Sequence, residues 1–156
     1  MTMPQVGDTA PDFEIANEKG DMVKLSDYHG KQLILYFYPK ADTPGCTKQA
    51  CAFRDNYSKF EEKGVVVLGA SIDTPQEQMD FKQKYNLPFT LLADPDHWLA
   101  DLYGIWGDHK VNYNGKDVEY TGLRRSTFII DENGIVTYSA FGVDPTTNTA
   151  EILELL

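Results

Sequence analysis

The chain has 156 residues, of which 42% are hydrophobic and 24% charged, and we expect one globular domain over residues 1–156. Its 14 basic and 24 acidic residues give a net charge of −10, which argues against nucleic acid and anionic membrane surfaces as partners because both attract basic patches. No apolar stretch approaches the ~18 residues of a membrane span, no secretory signal is visible, and two cysteines do not make an extracellular disulfide framework. A cytoplasmic location is therefore expected.

The first part of the chain predicts a hairpin and then a buried strand. Apolar and polar residues alternate over residues 13–15 and again over 23–25, on either side of a turn at 18–21. Residues 32–38 are a nearly continuous apolar run, which favours a central strand covered on both faces.

The candidate chemistry lies in residues 36–57, where the apolar run stops at Pro39 and a loop of turn-forming residues leads to Cys46. An amphipathic helix is predicted from Cys46 to Lys63, with an apolar face that begins at Cys46 and packs on the core. A cysteine at a helix N-terminus faces unpaired backbone N–H groups and the positive end of the helix dipole, which stabilise the nucleophilic thiolate. Cys51 falls on the polar face, an unusual place for an unreactive cysteine.

The spacing of the two cysteines suits a bond that forms and breaks. In an intact helix, residues five apart have Cα atoms roughly 8.6 Å from each other, whereas a disulfide needs less than about 7 Å. Cys46 and Cys51 can therefore pair only if the first helical turn unwinds. Thr43, three residues before Cys46, has a hydroxyl that either lies near the sulfur or caps the helix.

The middle of the chain predicts strands alternating with helices. Residues 65–72 form a second buried strand, and the capping-box signature at residues 74–77 starts a helix to about Tyr85. Residues 87–94 form a short strand, and Asp94–Pro95 is expected to begin the next helix. That helix ends before a glycine, and four of its residues are expected to pack in the core: Trp98, Leu99, Leu102 and Tyr103.

The last third predicts a hairpin and a terminal helix. Residues 107–121 are the least regular part, with a turn signal at Asn114–Gly115. Two strands, 126–131 and 135–141, are joined by a strong turn, and a short helix spans 149–156. Together the elements predict an α/β fold with a central mixed β-sheet flanked by helices and an N-terminal β-hairpin.

Residues 39–55, PKADTPGCTKQACAFRD, closely resemble the active-site segment of peroxiredoxins, whose core pattern is Pro-x-x-x-Thr-x-x-Cys. Pro39, Thr43 and Cys46 match that pattern in order and spacing. The second cysteine, five residues on, is similar to that of the bacterioferritin-comigratory-protein (peroxiredoxin Q) subfamily, which usually has Glu where this chain has Gln49. The resemblance implies a thioredoxin-like fold, and we expect Gln49 to alter local hydrogen bonding and to leave the chemistry intact.

The resemblance also implies an activity, that of a thioredoxin-dependent, atypical two-cysteine peroxidase in antioxidant defence. Cys46 would attack hydrogen peroxide or an organic hydroperoxide and become a sulfenic acid, and Cys51 would condense with it to a disulfide. Thioredoxin or a similar dithiol would reduce that disulfide, and no metal or organic cofactor is needed. Subfamily relatives include monomers and dimers, so a monomer or weak homodimer is expected.

Further site residues follow from the same resemblance. In the resembled family, an arginine just before the Ser-Thr-Phe strand points at the catalytic cysteine. By position this arginine is Arg125, and Arg124 is expected to be its exposed neighbour. Arg54 is an alternative donor. Arg125 and Thr43 would hold the thiolate and the peroxide. The substrate pocket would be shaped by three residues: Pro39, Pro44 and Gly45.

Three other functions compete with this hypothesis. A thioredoxin-type disulfide oxidoreductase shares the fold and the helix-start cysteine, but it has two residues between its cysteines, whereas four separate Cys46 and Cys51. A metal-binding module would need the histidines, none of which has zinc-like spacing from a cysteine: His29, His97 and His109. A structural or chaperone role needs an exposed apolar stripe, and none is evident.

Overall fold

A computed structural model describes residues 3–113 and 115–156 of the chain. In chain order, the N-terminal half contains β1 (Glu14–Ala16), β2 (Met22–Lys24), a 3₁₀ turn (Leu25–Tyr28), β3 (Gln32–Phe37), α1 (Pro44–Asp55), α2 (Tyr57–Glu62), β4 (Val65–Ser71) and α3 (Pro75–Tyr85). The C-terminal half contains β5 (Thr90–Ala93), α4 (Trp98–Leu102), β6 (Trp106–Tyr113), β7 (Lys116–Leu123), β8 (Ser126–Ile130), β9 (Val136–Phe141) and α5 (Asn148–Leu155). No helix in these described ranges is both long enough and apolar enough to cross a bilayer.

A five-stranded mixed sheet organises the molecule in the order β5-β4-β3-β8-β9. Strands β3, β4 and β5 are parallel, and β8 is antiparallel to both β3 and β9. Strands β1 and β2 form the separate N-terminal hairpin. The predicted α/β architecture with a mixed central sheet is therefore confirmed.

Strand β3 separates two apolar layers because successive side chains of a strand point to opposite faces. Leu33, Leu35 and Phe37 face a layer that the N-terminal hairpin and α4 complete. Ile34 and Tyr36 face the other layer, which lies under α1, α2, α3 and α5. Cys46 belongs to this second layer, so the helix that carries it is held directly on the central strand.

The predicted helix from Cys46 to Lys63 is two helices. Helix α1 begins at Pro44, since proline at the first helical position has a suitable φ and no N–H to satisfy. It ends at Asp55, and Asn56 separates it from α2. The side-chain amide of Asn56 donates to the Ala52 backbone carbonyl at 2.8 Å. A side chain that competes for backbone acceptors in this way favours a helix boundary.

The helix after β5 also differs from the prediction. It starts after His97, a left-handed residue with φ 48°, and not at Asp94–Pro95. Buried Asp94 still caps it from a distance, because its carboxylate accepts from the backbone N–H groups of Leu99 and Ala100 at 3.1 and 2.9 Å. Leu99 and Tyr103 are fully buried as predicted, but Trp98 is 49% exposed, so the prediction of a core tryptophan is wrong.

Residues 107–121, expected to be the least regular part, form most of a long antiparallel hairpin. Strands β6 and β7 pair from Trp106 opposite Leu123 to Tyr113 opposite Lys116. The predicted turn includes Asn114, which lies outside the described residues. Most of β7 is exposed to solvent, so its sequence carries no apolar alternation that would have revealed the strand.

Candidate active site

The loop between β3 and α1 is fixed from two sides. The backbone N–H of Ala41 donates to the carboxylate of buried Asp73 at 2.7 Å, which ties the loop to the end of β4. Asp42 has a left-handed backbone, φ 59°, and its carboxylate accepts from Lys84 at 2.7 Å and from the Tyr85 hydroxyl at 2.6 Å. These bonds from Lys84 and Tyr85 hold the pKa of Asp42 below its usual value. The last turn of α3 therefore anchors the loop that leads to Cys46.

Thr43 occupies the N-cap position of α1, but its side chain does not cap the helix. Its hydroxyl donates instead to the Lys40 carbonyl at 2.8 Å, within the loop. Pro44 and Gly45 fill the first two helical positions, which places Cys46 in the first turn. Backbone N–H groups of a first turn lack intrahelical acceptors, so the positive end of α1 lies at Cys46.

Cys46 is buried, with 1% of its surface exposed, and one charged side chain of the described residues hydrogen-bonds to it. The Arg125 Nη2 atom lies 3.3 Å from the Cys46 sulfur and is oriented to donate to it. Burial raises the pKa of nearby Tyr36 and Tyr38, so both phenols stay protonated and place no second negative charge beside the sulfur. The charged group that faces the Cys46 sulfur is therefore the Arg125 cation.

The guanidinium of Arg125 is itself held by Gln49. Its Nη1 atom donates to the Gln49 Oε1 atom at 2.7 Å, and Gln49 is fully buried one turn after Cys46. The Gln49 Nε2 atom donates to the Asn148 side-chain oxygen at 3.0 Å. Gln49 therefore bonds to both Arg125 and Asn148, and the expectation that it alters the hydrogen bonding of the subfamily's Glu stays a prediction. Asn148 was missed, because a polar residue at a helix start ordinarily indicates a cap.

Cys51 is half-buried in α1, and both cysteines are free thiols. With both residues in one intact helix, the spacing argument applies directly. A Cys46–Cys51 disulfide requires α1 to unwind at its start.

The two other arginines named from the sequence do not contact the Cys46 sulfur. Arg54 pairs with Asp55 and donates to the Tyr85 carbonyl, so it does not reach Cys46. Arg124, expected to be exposed, is half-buried, with its guanidinium 5.6 Å from the centre of the Phe141 ring.

The histidines are dispersed as well. His97 stacks on Trp106 with ring centres 3.9 Å apart, and His109 contacts the Gly122 carbonyl. Within residues 3–113 and 115–156, no group of three His, Cys, Asp or Glu side chains is arranged to hold a metal ion.

Three comparisons relate this geometry to known proteins. The AhpC/TSA family matches residues 6–139. A putative peroxiredoxin Bcp of Coxiella burnetii is 51% identical over 133 residues, 85% of each chain. Peroxiredoxin Bcp of Bacillus subtilis is 45% identical over 152 residues, which cover 97% of this chain and 94% of the relative.

A solved structure gives the same relationship. The bacterioferritin comigratory protein of Xanthomonas campestris, studied for its alkyl peroxide reduction activity, is 27% identical and aligns with a TM-score of 0.84. The alignment covers 97% of this chain and 94% of that one. Because this neighbour has the thioredoxin fold of peroxiredoxins, the predicted thioredoxin-like fold is confirmed.

Proposed function

This chain belongs to the AhpC/TSA family and is a thiol-dependent peroxidase of the Bcp (peroxiredoxin Q) type, and we propose that Cys46 is the thiol that attacks the hydroperoxide. The observation that supports this most directly is the 3.3 Å contact between the Arg125 Nη2 atom and the Cys46 sulfur. A cation and a helix N-terminus at one buried sulfur favour the thiolate, and Cys51 has no comparable surroundings in the described contacts.

In the proposed first step, the Cys46 thiolate attacks one oxygen of the hydroperoxide and the O–O bond breaks. The sulfur loses two electrons and becomes a sulfenic acid, while the departing oxygen leaves as hydroxide or alkoxide and takes a proton to become water or an alcohol. The guanidinium of an arginine carries a positive charge and is a rigid fork of donors. Arg125 is therefore suited to stabilise the negative charge that develops on the departing oxygen.

Four residues complete the proposed substrate site. The Thr43 hydroxyl donates its hydrogen bond to the Lys40 carbonyl. Its oxygen is therefore free to accept a hydrogen bond from the incoming hydroperoxide. Pro44 adds no N–H at the entrance, and Gly45 lets Arg125 approach closely. Half-buried Pro39 lies where β3 leads into the loop, and we assign it the exclusion of water.

In the proposed second step, Cys51 attacks the sulfenic acid, and a disulfide and water form. This step needs the start of α1 to unwind, as the helical spacing requires. Half-buried Cys51 then lies closer to solvent than Cys46, where a reductant can reach the disulfide.

The family uses a peroxide substrate and a thiol reductant. For this chain we propose thioredoxin as the reductant, because a dithiol resolves an intramolecular disulfide by exchange through one mixed disulfide. We also propose that the enzyme accepts hydrogen peroxide and organic hydroperoxides and acts in the cytoplasm as a single-domain monomer or weak homodimer. Neither nucleic acid nor a membrane is needed.

The test is peroxide consumption by the purified protein with thioredoxin, thioredoxin reductase and NADPH. Hydrogen peroxide and cumene hydroperoxide are supplied in separate reactions. In a third, the protein receives insulin as a protein disulfide with dithiothreitol in place of the thioredoxin system, because thioredoxin itself reduces insulin. Consumption of either peroxide, dependent on thioredoxin, is the expected result. If neither peroxide is consumed and insulin is reduced, the chain is a thioredoxin-type disulfide oxidoreductase instead.

We expect Gly45→Ala to slow Cys46 oxidation by hydrogen peroxide about 10-fold while the melting temperature stays close to that of the wild type. An added methyl group would lie 3.2 Å from the Arg125 Nη2 atom and 3.4 Å from Pro145. The Nη2 atom that faces Cys46 would have to move, and small displacements of a catalytic group carry large rate penalties. Stopped-flow measurement of the second-order rate constant checks this expectation.

The matched control is Gly122→Ala, because a methyl group there meets nothing closer than 3.5 Å, an ordinary contact. Its rate constant should stay within about twofold of the wild type. Equal rate constants for Gly45→Ala and Gly122→Ala would show that the space at Gly45 does not matter to Arg125.

A further inference from the structure

A continuous series of side-chain hydrogen bonds runs from the Cys46 sulfur to the C-terminal helix. Arg125 donates to Cys46 and to Gln49, and Gln49 donates to the Asn148 Oδ1 atom. The Thr127 hydroxyl donates to the same Asn148 oxygen at 2.9 Å. Gln49, Thr127 and Asn148 are all fully buried, so water does not compete for these bonds.

The direction of every bond in this series is fixed by chemistry. A guanidinium can only donate, so Gln49 must present its oxygen to Arg125. The Gln49 amide nitrogen then faces Asn148, which must present its own oxygen in turn. If the Gln49 side-chain amide were rotated by half a turn, its NH₂ group would face Arg125, and the guanidinium would lose its acceptor.

Asn148 is not explained by a structural role in its own helix. Thr147 is the N-cap residue of α5, and the Asn148 oxygen accepts from two side chains of other elements, α1 and β8. The Asn148 Nδ2 atom is buried without a hydrogen-bond partner. An unpaired buried donor costs stability, so an apolar side chain would serve helix packing better at this position.

We propose that Asn148 is a positioning residue for the peroxidase reaction. Its side-chain oxygen fixes the orientation of the Gln49 amide, and Gln49 in turn holds the Arg125 guanidinium on the Cys46 sulfur. This inference rests on the proposed roles of Cys46 and Arg125. It makes the start of α5, 102 residues beyond Cys46 in the sequence, part of the support for the catalytic arginine.

The experiment measures the second-order rate constant for oxidation of Cys46 by hydrogen peroxide, in competition with horseradish peroxidase. Asn148→Ala and Asn148→Leu both remove the acceptor, and Leu keeps the volume, so it gives an answer even if Ala loosens the fold. We expect both rate constants to fall about 10-fold, in keeping with a displaced transition-state donor. Asn148→Asp restores an acceptor for Gln49 and Thr127, and its rate constant should return to within about threefold of the wild type.

The control for a loosened helix is Ile152→Ala, which removes a buried apolar contact of α5 and leaves the polar series intact. Its melting temperature should fall while its oxidation rate constant stays within about twofold of the wild type. Three results each overturn the inference: unchanged rates in Asn148→Leu, no recovery in Asn148→Asp, or an equal loss in Ile152→Ala. A slow wild type would instead overturn the proposed function of Cys46.

Discussion

Cys46→Ser should lose peroxide consumption by at least about 10⁴-fold, because serine has no thiolate to attack the O–O bond and loss of a nucleophile removes most of an enzyme's acceleration. Cys51→Ser should behave differently. It should consume about one equivalent of peroxide at a rate close to that of the wild type and then stall under thioredoxin, since its sulfenic acid cannot condense to a disulfide. Rapid-mix measurement of the first turnover, followed by steady-state turnover, separates the two variants.

Mass spectrometry of the oxidised proteins provides the control. The wild type should lose two hydrogens through a Cys46–Cys51 disulfide, and Cys51→Ser should gain one oxygen at Cys46. If the Cys46→Ser variant gains oxygen at Cys51 and keeps full activity, Cys51 is the attacking thiol and the assignment of Cys46 is wrong. Full turnover of Cys51→Ser with thioredoxin would show that the second cysteine is not needed for resolution.

Arg125→Met should slow the oxidation of Cys46 by about 10²–10³-fold, the usual cost of removing a donor from developing negative charge. The same guanidinium faces both the Cys46 sulfur and Gln49, so both contacts are lost together. Arg125→Lys should recover only part of the rate. A lysine ammonium keeps the charge but cannot reproduce the planar fork that donates to Cys46 and Gln49 from two nitrogens.

The neighbouring arginine is a matched control. Arg124 has the same charge and comparable exposure, but its guanidinium lies over the Phe141 ring. Arg124→Met should therefore leave the oxidation rate constant within about twofold of the wild type. Equal losses in Arg124→Met and Arg125→Met would indicate a general effect of positive charge near the site, and unchanged oxidation in Arg125→Met would exclude the arginine from the step.

The parts of the fold that follow a strong local pattern could be predicted from the sequence. The apolar run of β3 and the capping box of α3, in which Thr74 and Glu77 bond reciprocally, are as expected. Asn114–Gly115 signalled a hairpin turn, but the strands β6 and β7 on either side of it were not predicted because β7 is largely polar and exposed. Trp98 was misplaced because helical periodicity cannot distinguish a core position from a solvent position at the first residue of a five-residue helix.

The residues of the candidate site also differ in whether the local sequence predicts them. The helix-start position of Cys46 follows from local residues, whereas Arg125 was named only through the family resemblance. Asp73 and Asn148 carried no signal, because each acts on a residue far along the chain. Asp73 accepts from Ala41, 32 residues away, and Asn148 accepts from Gln49, 99 residues away. Only the folded topology brings such partners together.

The boundary at Asn56 ends α1 before α2 begins, so the segment after Cys46 is two helices that need not unwind together. We therefore expect α1 to open at its start while α2, whose Phe60 is fully buried in the second apolar layer, stays folded. The unwinding that a Cys46–Cys51 bond demands is then confined to a few turns. In a hydrogen-exchange experiment, backbone amides at the start of α1 should exchange quickly in the disulfide form, while those of β4 remain as protected as in the dithiol form. That result would confine the proposed redox-linked motion to the start of α1.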